Sequence, residues 1–121
     1  MYEIKIQLDF SAAHNLRNYR GKCENLHGHN WKVEAVFAYK SLDKDGMAVD
    51  FKEVKSLLKT ILEKLDHSYL NEAGIFKKLN PTSENIAKII YGDISGKNKN
   101  IASVSVWENE NSCATYTERL S

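Results

Sequence analysis

The hydrophobic period of this chain runs at two, switches to three and four, and returns to two, and that pattern limits the folds open to it. Ile4, Ile6, Leu8 and Phe10 alternate with Glu3, Lys5, Gln7 and Asp9, and a second alternation runs through Trp31, Val33, Ala35, Phe37 and Tyr39. Successive side chains of a strand point to opposite faces, so each run predicts a strand with one buried face. Asp45-Gly46 is a turn signal, after which Met47-Ala48-Val49 reads as a short returning strand. From residue 51 the spacing changes. Phe51, Val54, Leu57, Leu58, Ile61, Leu62 and Leu65 predict an amphipathic helix with Asp50 as its N-cap.

Past Asn80-Pro81, Thr82 or Ser83 caps a second helix with the stripe Ile86, Ile89, Ile90 and Ile94. A last hairpin begins at Val104, Val106 and Glu108, turns near Asn109–Ser112 and returns through Thr115-Tyr116-Thr117. This order predicts an α+β fold with an antiparallel sheet. Residues 1–121 are read as a single domain. A domain of this size buries only about two-thirds of its unfolded surface, so association is one way to complete its core.

Charge narrows the function classes. With 17 basic and 16 acidic residues the net charge is +1, which argues against a general nucleic-acid binder. A membrane span needs about 18 consecutive apolar residues, and no such run occurs. The alternating start does not read as a signal-peptide core. Two cysteines, Cys23 and Cys113, are too few for a disulfide scaffold and point to a reducing, cytoplasmic setting. Cys113 reads as a packing residue.

The chain has four histidines. His27 and His29 are two apart and point to one face of a strand, the face that carries Trp31 and Val33. His14 shares the parity of Ile4 through Phe10, so pairing of the two strands as antiparallel neighbours lets it meet the other two. Three neutral imidazoles hold Zn²⁺ with its double charge intact and one position open, as catalytic sites do. Cys23 has three readings: a buried small residue, a fourth zinc ligand, or a thiolate base favoured by Arg17, Arg20 and Lys22. Asp66-His67 either satisfies the end of the first helix or forms a pair in which the carboxylate sets the imidazole tautomer for proton transfer. Glu108, if not simply solvated at a strand end, can grip a guanidine-like edge through two parallel hydrogen bonds.

FSAAHNL, GKCENLHGHNW, Asp50-Phe51, LDHSYLN, NPTSENIA and WENENSCATY form an ordered series across nearly the whole chain. The series resembles the 6-pyruvoyltetrahydropterin synthase superfamily, and the spacing from Cys23 to His27-Gly28-His29 is most similar to its 6-carboxytetrahydropterin synthase branch, which serves queuosine and deazapurine synthesis. The resemblance implies His14, His27 and His29 as zinc ligands, Cys23 as the proton-abstracting thiol, and Asp66 and His67 as a proton relay. It implies Glu108 as pterin anchor, with Thr82 and Ser83 near the bound pterin. It also implies the tunnelling fold (T-fold), a four-stranded antiparallel sheet with two helices on one face, assembled as a homohexamer, a dimer of trimers with interface active sites. The implied reaction turns 7,8-dihydroneopterin triphosphate into 6-carboxytetrahydropterin, acetaldehyde and triphosphate, with Arg17, Arg20 and Lys22 as candidates to meet the triphosphate. Glu24 stands where some relatives use a glutamate for an aldolase-like cleavage toward folate, so that activity and the pyruvoyl product are the alternatives.

Two readings come from other classes. A cupin-like site of His27, His29 and Glu34 fails on parity, because Glu34 points away from the histidines on a regular strand. A non-catalytic zinc-stabilised binding module, closed by Cys23, would unfold with its metal removed.

Overall fold

The computed structural model describes residues 1–18 and 25–118. Both alternating runs are long strands, β1 (Tyr2–His14) and β2 (His27–Tyr39), paired antiparallel from Tyr2 opposite Tyr39 to His14 opposite His27. Helix α1 spans Phe51–Glu63, with the Asp50 carboxylate accepting from the Lys52 N–H at 2.9 Å. A two-residue strand β3 (Ser68–Tyr69) follows, then two short 3₁₀ turns (Leu70–Glu72 and Gly74–Lys77) and helix α2 (Ser83–Ser95). Thr82 caps α2, its hydroxyl accepting from the Asn85 N–H at 3.1 Å. Strands β4 (Ile101–Trp107) and β5 (Cys113–Tyr116) close the order.

The sheet runs β3-β1-β2-β4-β5. Among the described residues it therefore has five strands where four are expected, and it is mixed, because β3 lies parallel to β1 with Ala12 opposite Ser68 and Ala13 opposite Tyr69. A two-residue strand leaves no periodic trace; it forms because the chain leaving α1 is drawn onto the edge of β1. The expected strand at Met47–Val49 is also absent. Asp43 closes that turn on itself instead: its carboxylate accepts from the Asp45 and Met47 N–H groups at 2.8 and 3.1 Å, and Gly46 takes the left-handed φ of +81°.

Both helices cover one face of the sheet. Ile6, Phe10, Trp31, Val33, Ala35, Val104 and Val106 form one core with Val54, Leu58 and Ile61 of α1 and Ile86, Ile90 and Ile94 of α2. His14 and His27 continue the inward-facing rows of β1 and β2 beyond the end of this core, and His29 is the next inward position on β2. The period-two pattern that builds the core thus also aims the histidines. No helix among the described residues is long and apolar enough to cross a membrane.

Candidate metal centre

His14, His27 and His29 meet at the end of the β1/β2 ladder. Their ring centroids lie 4.6 Å (His14–His27), 5.4 Å (His14–His29) and 4.6 Å (His27–His29) apart. Trp31, fully buried and stacked on Phe10, forms the floor, with its ring edge-on to His14 at 4.8 Å and to His29 at 5.5 Å. Its indole N–H donates to the Ala12 carbonyl at 3.2 Å, which anchors that floor to β1.

Hydrogen bonds select the tautomers. The Nδ1 of His14 donates to the Pro81 carbonyl at 2.8 Å, and that of His27 to the Asn25 carbonyl at 2.9 Å. A carbonyl only accepts, so each Nδ1 carries a proton, and in the neutral ring the lone pair is on Nε2. Burial, the largest effect, pushes His29 below its ordinary value of 6.5; His27 and His14 push the same way, and Glu108 opposes them. The neutral form of His29 is thereby favoured. The Nε2 atoms of His14 and His29 are buried without a hydrogen-bond partner. Leaving such a group unsatisfied costs about 1–3 kcal/mol, and two of them facing one point is what a cation would repay. The donor set fits a divalent metal ion: His14, His27, His29 and Glu108 each offer one ligand atom, all within 4.8 Å of one another.

His14 is only 2% exposed, and its position depends on a segment far away in sequence. Beyond β1 the main chain is gripped by two asparagine side chains. Asn71 accepts from the Asn15 N–H at 2.9 Å and donates to the Asn15 carbonyl at 2.8 Å, while Asn80 does the same to Arg17 at 2.8 and 3.0 Å. Each amide imitates a neighbouring strand. The Tyr69 hydroxyl adds a bond to Asn15 Oδ1 at 2.6 Å. Asn71 and Asn80 lie within LDHSYLN and NPTSENIA, but sequence reasoning attached no role to them. A polar Asn amid the apolar positions of a turn was the available signal.

The other expected site residues are distributed unequally. Glu108, one residue past β4, brings Oε1 to 2.8 Å from His29 Nε2, 3.4 Å from His14 Nε2 and 3.6 Å from His27 Nε2. It also lines a polar cleft of about 220 Å³ with Ser83, Glu84, Ser112 and Cys113. Thr82 is spent as helix cap beside the Pro81 carbonyl. Asp66 and His67 form a separate pair: Asp66 Oδ1 accepts from the Ser11 N–H at 2.8 Å and stands 3.1 Å from His67 Nδ1. The Ser11 bond is the main cause holding Asp66 below the ordinary 3.8, with His67 adding to it. His67 has a left-handed φ of +56° and an 83% exposed side chain.

Cys23, Glu24, Arg20 and Lys22 lie outside the described residues. Arg17, a candidate for the triphosphate, is committed elsewhere: its guanidinium donates to the carbonyls of Asn71, Phe76 and Leu79 at 3.0, 2.6 and 3.4 Å. Cys113, expected to pack, is exposed on β5, the outer strand of the sheet.

Comparison with known proteins agrees with this architecture. A Haemophilus influenzae protein named 6-carboxy-5,6,7,8-tetrahydropterin synthase is 33% identical over 141 residues, covering 98% of this chain and 100% of the relative. One of the same name from Synechocystis is 35% identical over 128 residues, covering 100% and 98%. The solved structure of Caenorhabditis elegans 6-pyruvoyl tetrahydropterin synthase superposes with a TM-score of 0.85 at 26% identity, covering 96% of this chain and 94% of that one, so the α+β architecture is the T-fold. The family model described as 6-pyruvoyl tetrahydropterin synthase matches residues 3–119, and the chain belongs to that family.

Proposed function

We propose that this protein is a zinc-dependent 6-carboxytetrahydropterin synthase that converts 7,8-dihydroneopterin triphosphate to 6-carboxytetrahydropterin, acetaldehyde and triphosphate, in the cytoplasm, for queuosine and deazapurine synthesis. The observation that carries this reading is the convergence of three inward imidazoles, two with Nδ1 tied to a carbonyl and two with Nε2 buried and unpartnered. The names of the relatives favour the carboxy product.

Zn²⁺ held by His14, His27 and His29 would supply Lewis-acid polarisation of the substrate's side-chain hydroxyls. The chain's own residues do the rest. Glu108 accepts two N–H groups from the pyrimidine edge and fixes the side chain against the imidazoles. Ser83, in the same cleft, contributes a hydroxyl, and Thr82 keeps the start of α2 rigid beneath it. The Cys23 thiolate removes a substrate proton. Asp66 holds the His67 Nδ1 proton, which leaves Nε2 to accept and return another. Trp31 and Phe10 exclude water from the floor.

The assembly we propose is a homohexamer, a dimer of trimers. Among the described residues, β1 pairs with a strand on its outer side at Ala12 and Ala13 alone, and β5 ends the sheet opposite, so two edges offer main-chain groups for joining sheets between subunits. The exposure of His67 suits a residue that works across such an interface.

The test is incubation of the zinc-loaded protein with 7,8-dihydroneopterin triphosphate, with mass identification of the pterin and an acetaldehyde assay. Equal amounts of 6-carboxytetrahydropterin and acetaldehyde are expected. A pyruvoyl pterin without acetaldehyde, or an aldolase-like cleavage product, selects the alternatives. No turnover, with unfolding on chelation, selects a zinc-stabilised binding module.

A further inference from the structure

Glu108 belongs to two places at once, the histidine cluster and the polar cleft beside Ser83. Four tetrahedral ligands about 2.0–2.1 Å from a zinc ion stand roughly 3.3–3.4 Å from one another. Glu108 Oε1 is 3.4, 3.6 and 2.8 Å from the three Nε2 atoms, two of these close to that spacing, so one cation could be shared between the carboxylate and the imidazoles. Oε1 thus stands against the buried Nε2 of His29 and faces the same point as the buried Nε2 of His14, where a cation would lie between carboxylate and imidazoles.

We propose that Glu108 is a latch: its Oε1 is the fourth metal ligand of the resting protein, and an arriving pterin draws the carboxylate off the metal and into the cleft. The exchange rests on the pterin reading above. A two-point grip on a guanidine-like edge uses both carboxylate oxygens, so Oε1 cannot serve the metal and the pyrimidine together. Binding of the ring thereby opens the coordination position that the substrate's hydroxyls need, and the site stays closed to other small ligands until a pterin is present. Metal and pterin then oppose each other's binding through one carboxylate, and linkage makes the opposition equal in both directions.

The experiment uses 6-methylpterin, which presents the pyrimidine edge but no side-chain hydroxyl to replace Glu108. In the Co²⁺-loaded wild type without pterin, the visible spectrum is expected to differ from that of Glu108→Ala, and chelator competition should show Zn²⁺ affinity falling about 10–100-fold in the variant. Adding 6-methylpterin should move the wild-type spectrum and leave the variant's unmoved. It should weaken Co²⁺ binding by the same factor, about fivefold or more, by which Co²⁺ weakens 6-methylpterin binding. Identical spectra and affinities in wild type and variant overturn the latch even if dihydroneopterin triphosphate turns over normally. A Glu108-dependent spectrum in a protein with no turnover leaves the ligand standing and defeats the pterin reading. A pterin that binds without moving the wild-type spectrum overturns the exchange. The wild-type spectra alone decide this last point if the alanine variant does not fold, and Glu108→Gln, of equal volume, repeats the affinity comparison.

Discussion

The two histidine-bearing regions of this molecule are built on opposite plans. His14, His27 and His29 stand on the inward rows of two long strands, over a tryptophan floor, with the tautomers of His14 and His27 set by main-chain carbonyls. His67 stands on a left-handed residue at the rim, 83% exposed, steadied by Asp66 and through it by one backbone N–H of β1. The imidazoles of the first region converge within one chain, whereas the second is an exposed pair at the rim. Groups able to hold a cation gain from a rigid, water-poor frame, whereas the relay proposed for Asp66 and His67 would have to meet a ligand or a neighbouring subunit.

This contrast can be broken by experiment. The largest effect is expected at the candidate ligands: His14→Ala should weaken Zn²⁺ binding by more than about 100-fold, measured by chelator competition. His67→Gln should leave that affinity unchanged while depressing turnover; a parallel loss of metal would join the two regions into one. Next comes the support beneath His14. Asn71→Ala leaves the Asn15 N–H and carbonyl without their partner, so it should cost about 1–3 kcal/mol in urea unfolding, and Zn²⁺ affinity should fall with it. If Zn²⁺ binds the variant as well as the wild type, His14 is held by its strand alone. Thr82→Ala removes the cap of α2 beside the Pro81 carbonyl and should cost about 1 kcal/mol, read in the same unfolding experiment.

The smallest effect belongs to the rim. Asp66 is held below 3.8 by the Ser11 N–H, so its contribution to stability is present above that value and lost as pH falls through the lowered folded one. The stability difference between wild type and Asp66→Asn should therefore be constant from neutral pH down to about 5 and shrink below 3.8, followed by urea midpoints across that range. A difference that grows on acidification would mean that the folded state favours the protonated acid, desolvation outweighing the Ser11 hydrogen bond.

Some of this was legible in the residues. The two alternations and the step to a spacing of three and four locate β1, β2 and α1, and Asp50 and Thr82 mark the helix starts where capping oxygens are found. Strand parity was enough to bring His14, His27 and His29 to one face, since the same rows carry Phe10 and Trp31 inward. Glu108 was marked by a carboxylate following Val104, Val106 and Trp107. By contrast, β3 is two residues long, Asp43 closes a turn that resembled a hairpin, and Asn71 and Asn80 act on main chain more than fifty residues away. Arg17, a candidate for the triphosphate or equally a solvated loop residue, instead donates to three carbonyls.

The order of apolar and polar residues therefore determined which faces are buried, which strands are long and which imidazoles share a face, because those properties follow from backbone geometry repeated every two or 3.6 residues. Only the tertiary structure decided which nitrogen of His14 faces the site, what holds the end of β1, and where the Glu108 carboxylate rests. Those depend on single hydrogen bonds and approaches between segments distant in sequence, for which the chain carries no periodic signal.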